Sequence, residues 1–337
     1  MGEKLCVGLI GAGRIGRVHS RSITQRVPAA EIVAVADVNV EAAEVLARQL
    51  GARATTDYRA VLDDPRVDAV LICSATDTHA QQIMDAAAAG KHIFCEKPID
   101  HSLAKIDAAL ATVAQAGVKF QVGFNRRFDA NYARVRRAIV EGEIGVPHLM
   151  HLISRDPAPP PMSYVRVSGG IFLDMTIHDF DMARFLLGEV TEVYTAAGIL
   201  VDPAIGAAGD LDTALVTLKF ASGALGVIDN SRQAVYGYDQ RVEVLGSLGT
   251  IATGNNYANT AVVSTAARVY RDLPLNFFME RYLESYAAEI AAFVTAVVDD
   301  APVPVTGEDG RAPVVMGLAA RRSFDENRPV RLDEICA

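Results

Sequence analysis

Leu5–Gly16 reads LCVGLIGAGRIG, a short apolar run that breaks into Gly11, Gly13 and Gly16 and leads into a segment with helical periodicity. Each glycine answers a separate need of a strand–turn–helix that holds a pyrophosphate. Gly11 permits the tight turn off the strand, Gly13 lets the main chain approach a phosphate with no Cβ in the way, and Gly16 lets the helix pack closely on the sheet. The unbonded amides and dipole at the helix start, around Arg14 and Ile15, attract phosphate. The next apolar run, EIVAVA, suits a buried parallel strand and ends at Asp37. That carboxylate lies about 20 residues past the glycines, where it hydrogen-bonds adenosine ribose hydroxyls and repels a 2′-phosphate. No Arg or Lys follows it before Arg48, which favours NAD over NADP; Arg14, inside the turn, is the one cation that argues the other way.

Outward from this stretch, apolar runs continue as VDAVLICS, KHIFCE and VKFQVGF. Between the five runs lie helical patterns at Arg14–Gln25, Val40–Leu50, Thr78–Ala89 and Ser102–Ala116. Alternation of this kind predicts a doubly wound parallel sheet covered by helices, an α/β nucleotide domain over residues 1–124. Residues 125–337 change character. A helix at Tyr132–Glu141 and a proline-rich loop at Pro157–Pro161 precede a helix from Phe172 to Leu187. TEVYTAAGILV, DTALVTLKF, GALGVIDNSR, QRVEVLGS and GTIATGN follow, several alternating as half-buried antiparallel strands do. Helices at Tyr282–Val298 and Gly310–Phe324 close the chain. The second part therefore reads as an α+β domain with a large, mostly antiparallel open sheet. Its strands LVTLKF and VIDNSRQ mix apolar with polar residues on alternate positions, which suits a face that meets another subunit.

At 337 residues the chain is long enough for two domains, and half of its residues are hydrophobic. A net charge of −9 repels nucleic acid and anionic membranes, so neither is expected as a partner. The four cysteines show no paired spacing and suit a reducing cytoplasm. A strand begins almost at once, leaving no room for an export signal, and no apolar stretch reaches the ~18 residues of a membrane span. A cytoplasmic protein is the expectation.

Ligands of such sheets bind beyond the carboxyl ends of the strands. That rule selects Gly11–Gly16, Asp37, Ser74–His79, Glu96-Lys97-Pro98 and Asn125-Arg126-Arg127. Ser74, Ala75, His79, Glu96 and Lys97 join the glycine turn as candidate cofactor contacts. Lys97 is the only amine right at a strand end, and Pro98 stiffens the turn behind it; the plainer reading is a solvated loop lysine. In SGGIFLDMTIHDFDMAR, Asp174 and His178 are spaced i, i+4, on one helix face. Imidazole titrates near neutrality, so it suits removal of a hydroxyl proton while hydride leaves the same carbon. The plainer reading is a helix ion pair. His19 and His92 read as packing or surface residues, and no cluster has metal-ligand spacing.

Nearly the whole chain resembles the Gfo/Idh/MocA oxidoreductases. The resemblance rests on the glycine turn, Glu96-Lys97-Pro98 and the Asp174–His178 spacing. Longer likenesses to the members acting on cyclitols lie in GFNRRFDANY (Gly123–Tyr132), SRDPAPPP (Ser154–Pro161), SGGIFLDMTIHDFDMAR (Ser168–Arg184) and NFFMERY (Asn276–Tyr282). One departure stands out: Ala75-Thr76-Asp77 replaces the Thr-Pro of many members. The resemblance implies His178 as general base, Asp174 as its partner and a substrate ligand, and Lys97 as the amine on the developing alkoxide. It also implies NAD(P) dependence, a homotetramer built through the open sheet, and oxidation of myo-inositol at its axial hydroxyl. A neutral, hydroxyl-covered ring needs many converging donors and acceptors. Asn125, Arg127, Asp156, Asp174 and His178 offer that mixture, with Tyr236 and Tyr282 in addition. Other readings are a dehydrogenase of scyllo-inositol, D-chiro-inositol or a glucose-type pyranose, and a non-catalytic NAD- or sugar-binding sensor.

Overall fold

The computed structural model describes residues 4–336, which fall into two compact units. One comprises residues up to 128 together with 283–312, the other residues 129–282 together with those from 313 onward.

The nucleotide unit is built on β1 (Leu5–Ile10), β2 (Ala30–Ala36), β3 (Arg53–Thr55), β4 (Ala69–Ile72), β5 (His92–Glu96) and β6 (Phe120–Gly123), all parallel, in the order β3-β2-β1-β4-β5-β6. Around them run α1 (Arg14–Arg26), α2 (Val40–Leu50), α3 (Arg59–Leu62), α4 (Thr76–Ala88) and α5 (Leu103–Ala116). Five of the six strands are the runs read from the sequence. The sixth, β3, is three residues long, too short to carry a period. Local chemistry sets the helix ends: the Asn39 side chain accepts from Ala42 N–H at 3.2 Å to open α2, and Gly51, at φ +68°, closes it in the left-handed region. Strand order reverses between β1 and β4, so a crevice for ligand opens beyond their carboxyl ends, at Gly11 and Ser74.

In the second unit α6 (Ala130–Val140) opens behind Asp129, whose carboxylate accepts the Asn131 and Tyr132 amides and pairs with the buried Arg281. Next come β7 (Pro147–Arg155), α7 (Met162–Val165), α8 (Gly170–Asp174) and α9 (Ile177–Leu187). β8 (Val190–Gly198), α10 (Pro203–Ala207), β9 (Thr213–Phe220), β10 (Leu225–Ser231), β11 (Asp239–Gly246) and β12 (Thr250–Thr253) follow. A ribbon of β13 (Val262–Ser264) and β14 (Val269–Arg271) and the turn of α11 (Phe278–Arg281) lead to α12 (Leu283–Val298), α13 (Gly307–Glu326), β15 (Val330–Arg331) and α14 (Asp333–Cys336). The seven-stranded sheet runs β12-β11-β7-β10-β9-β8-β15, antiparallel except where β7 and β10 pair in parallel. One face is buried through Met150, Leu152, Ile228, Val216, Leu218 and Val244. On the other, Leu245, Leu149 and Leu225 stand side by side across three strands, each 42–49 % exposed.

Two segments differ from their sequence reading. The predicted helix from Phe172 to Leu187 is two helices, α8 and α9, joined at Met175-Thr176. There the Thr176 amide reaches back five residues to the Ile171 carbonyl at 2.9 Å, a wide turn that resets the helix. And α12 packs in the nucleotide unit rather than with the chain around it: Ile290, Phe293 and Val294 join Val7, Leu9, Leu71 and Phe94 in one core. Among the described residues no helix is long and apolar enough to cross a membrane.

Candidate active site

In the nucleotide unit, Gly11 has φ +105°, and a Cβ there would lie 2.5 Å from the Cys73 main chain; a Cβ on Gly16 would lie 2.0 Å from the Gly11 carbonyl oxygen. Both positions therefore require glycine, one for the turn and one for the close seating of α1. A Cβ on Gly13 meets nothing within 4 Å, so the space that side of the turn is open, as a pyrophosphate approaching the amides of Arg14 and Ile15 requires. Asp37 braces this turn: Oδ2 accepts the Ala12 amide at 2.7 Å and Oδ1 the Asn39 amide at 2.8 Å. A carboxylate has about four acceptor positions, so it keeps capacity for ribose hydroxyls. The turn, its open side and the acidic strand end fit NAD.

The other strand ends are tied to each other. Ser74 Oγ lies 2.8 Å from Thr78 and donates to Gln82 Oε1 at 2.7 Å. His79 is buried, with Nδ1 2.8 Å from the Pro98 carbonyl and Nε2 3.1 Å from that of Ser74; desolvation lowers its pKa. It therefore links the Ser74 loop to the turn carrying half-buried Lys97, whose peptide bond to Pro98 is cis. Ala75 is exposed at the start of α4. Glu96, read from the sequence as a cofactor contact, turns instead toward His19, with Oε1 2.6 Å from Nε2. Beyond β6, Asn125 is buried with its amide nitrogen unpartnered, a donor available to a ligand, and Arg127 pairs with Asp309 at 3.1 Å.

His19, Glu96 and Glu289 form a buried triad with ligand atoms within 4.8 Å of one another. In the sequence His19 reads as a packing or surface residue, and nothing there marks Glu289. Two ligands on one zinc ion stand about 3 Å or more apart. The 2.6 Å His19–Glu96 separation is a hydrogen bond instead. Both Glu289 oxygens are buried without a hydrogen-bond partner. Desolvation, then the neighbouring Glu96 charge, pushes its pKa well above the ordinary carboxylate range.

In the second unit, half-buried Asp174 closes α8 and half-buried His178 stands in the first turn of α9, so the α8–α9 junction sets their relation rather than one helix face. Asp174 Oδ1 accepts the Tyr164 hydroxyl at 2.7 Å and Oδ2 accepts Arg232 Nη1 at 3.2 Å. Burial first, then the Asp174 charge, raises the Tyr164 pKa, which keeps the phenol a donor; Asp156 adds to that rise. Neither Tyr164 nor Arg232 was legible as a site residue. Arg232 lies 58 residues from Asp174, and only the last residues of GVIDNSR hinted at polar groups leaving a strand. Thr176 donates to Asn230 Oδ1 at 2.6 Å, and Asn230 donates to Asp179 Oδ2 at 2.9 Å, so the end of β10 braces α9 as well. Tyr236 belongs to a different cluster, donating to Asp239 at 2.6 Å and accepting from Arg155 at 3.1 Å. Tyr282 is buried edge-on against Tyr238, with Arg281 over its ring.

The model of the oxidoreductase family with an NAD-binding Rossmann fold matches residues 5–124, and that of the GFO/IDH/MocA C-terminal domain matches residues 132–252. The chain belongs to the Gfo/Idh/MocA oxidoreductase family. It is 47 % identical to the myo-inositol 2-dehydrogenase of Thermotoga maritima, over 98 % of this chain and 99 % of the relative. Against the inositol 2-dehydrogenase of Rhizobium meliloti the identity is also 47 %, over 96 % and 98 % of the two chains. The scyllo-inositol dehydrogenase of Lactobacillus casei, solved with NAD(H) and scyllo-inositol, superposes with a TM-score of 0.92 at 30 % identity, covering 98 % of this chain and 100 % of that one. As a member of this family the chain is an NAD-dependent oxidoreductase.

Asp37→Ser removes the charge that opposes a 2′-phosphate while keeping an acceptor for the Ala12 amide. NADP-linked turnover relative to NAD is expected to rise by about tenfold, roughly 1.4 kcal/mol. Initial rates with the two coenzymes check this, and an unchanged ratio removes Asp37 from coenzyme choice.

Proposed function

We propose that this protein oxidises the axial hydroxyl of myo-inositol to the ketone. The observation that carries the reading is the 47 % identity, running nearly end to end, with the Thermotoga myo-inositol 2-dehydrogenase. When bound, NAD supplies the hydride acceptor; Gly11, Gly13, Arg14, Ile15, Gly16 and Asp37 hold it, with Ser74, Ala75, His79 and Lys97 along the neighbouring strand ends. His178 takes the hydroxyl proton as general base. The Lys97 ammonium donates to the same oxygen as negative charge develops there, and Asp174 accepts from a substrate hydroxyl. Asn125, Arg127 and Asp156 offer further donors and acceptors to the ring. Tyr236 and Tyr282 have less support, since Asp239 and Arg155 engage the first and packing encloses the second.

A panel of inositol isomers and aldoses with NAD, read by NADH absorbance, tests the proposal. Myo-inositol is expected to give the highest kcat/KM. A clear preference for scyllo-inositol, the ligand of the Lactobacillus casei relative, supports the second reading of the substrate. NAD binding with no turnover on any polyol supports a sensor. The exposed leucine row of the open sheet supports self-association into a homotetramer, and a monomeric mass by light scattering would contradict it.

A further inference from the structure

We propose that Arg232 is a positioning residue for the proton-transfer site, its single buried guanidinium tying both ends of α8 together and so fixing the Asp174 carboxylate. The inference rests on the dehydrogenase reading above and deepens it.

The Arg232 side chain is 1 % exposed and reaches two carboxylates. Nη1 donates to Asp174 Oδ2 at 3.2 Å and Nη2 to Asp210 Oδ2 at 3.3 Å. The other oxygen of Asp210 accepts the amide of Ile171, the second residue of α8, at 2.9 Å. Asp174 is the last residue of that helix. One guanidinium thus connects the first turn of α8, through Asp210, to the carboxylate at its end. The seating is close: Gly170 has φ +80°, and a Cβ on it would stand 2.8 Å from Asp210 Oδ1. Arg232 is held in turn, its amide donating to the Asp212 carbonyl at 2.8 Å just after β10. The Tyr164 hydroxyl holds the remaining oxygen of Asp174, so the carboxylate cannot rotate without breaking a bond.

Charge leads to the same role. Asp174 and Asp210 are two carboxylates at one nearly buried floor, and Arg232 is the cation that bridges them. Without it the two carboxylates repel, and the repulsion falls on the orientation of Asp174. A displaced Asp174 no longer presents its acceptor to a substrate hydroxyl. Lysine restores the charge but not the fork, because an ammonium is a point donor and a guanidinium spans two acceptors in fixed geometry.

The experiment compares wild type, Arg232→Gln, Arg232→Lys and the double variant Arg232→Gln/Asp210→Asn, as full-length proteins assayed with NAD and the best polyol of the panel. Arg232→Gln is expected to lower kcat/KM by about 100-fold, as a misplaced catalytic constellation does. The loss is expected to fall on kcat more than on KM, because the group displaced belongs to the proton-transfer site. Arg232→Lys should recover only part of it. Removal of the second carboxylate in the double variant should raise kcat above that of Arg232→Gln, because the repulsion is gone. In all of them NADH affinity, read by fluorescence, should stay within about twofold of wild type, since the coenzyme contacts lie in the other unit. If Arg232→Gln does not fold, Arg232→Lys and the double variant carry the same comparison. Folded variants with unchanged kcat/KM overturn the inference. So does a loss that follows the melting temperature alone, with kcat in the double variant no higher than in Arg232→Gln. Wild type without turnover on any polyol removes the functional reading and this inference together.

Discussion

His178→Ala should lower kcat by about 10²–10⁴-fold, the range that a positioned general base contributes. NADH should bind as before, because the glycine turn and Asp37 belong to the nucleotide unit and are untouched. Lys97→Met should lower kcat by about 10²–10³-fold by removing the donor from the oxygen where charge develops. Steady-state rates and NADH fluorescence titration check both variants, and a near-normal kcat in either one would sink the role assigned to that residue. The alanine variant also has a direct control. Small-molecule bases such as imidazole added to His178→Ala should recover part of the lost rate if proton removal is what was lost, and have no effect if the residue only filled space.

The second large effect concerns stability. Glu289 lies fully buried on α12, facing His19 from α1, Glu96 from β5 and Cys73 beyond β4, which in turn faces Cys95; its own carbonyl accepts from Gln121 of β6, and Tyr286 of its own helix stands edge-on to His19. Burial pushes both thiols up, so neither contributes charge at neutral pH. Its pKa is raised on folding, so the native protein holds a proton that the unfolded chain releases above the ordinary carboxylate range. By linkage, the Glu289 contribution to stability is fully present below the unfolded pKa and is lost as pH rises toward the folded one. Glu289→Gln removes that dependence. Its stability relative to wild type should be near its minimum at pH 4 and grow on the alkaline side by up to about 1.4 kcal/mol per pH unit. Urea unfolding from pH 4 to 8.5 measures the difference. A difference that is flat across the range shows that Glu289 does not hold the proton.

The parts of this molecule that were legible in the sequence are those whose physics is local. Glycines at a strand–turn–helix, a carboxylate closing the next strand, and alternation of runs with helical periods each depend on neighbours along the chain, and β1, β2, β4, β5 and β6 stood where those signals put them. Strand β3 was missed because three residues at a sheet edge carry no period. The break between α8 and α9 was missed because the apolar spacing continues through Met175 and Thr176 while the hydrogen bonding does not. The partners of the candidate catalytic residues depend on tertiary closure. Arg232 meets Asp174 across 58 residues, and His19 meets Glu96 across 77. In the sequence His19 has the look of any histidine on a helix. In the folded unit it is fully buried, with its edge contacts to Phe94 and Tyr286 fixing the ring beside Glu96.

The placement of α12 bears on biogenesis. A ribosome delivers the glycine turn first, yet Ile290, Phe293 and Val294 emerge only after six of the seven strands of the second sheet have been made. During synthesis the nascent nucleotide unit must wait with an apolar flank uncovered, a period in which holdase chaperones have something to grip. For the same reason, a fragment ending after β6 is a poor minimal coenzyme-binding module. A useful one would splice the late helix directly onto the early strands.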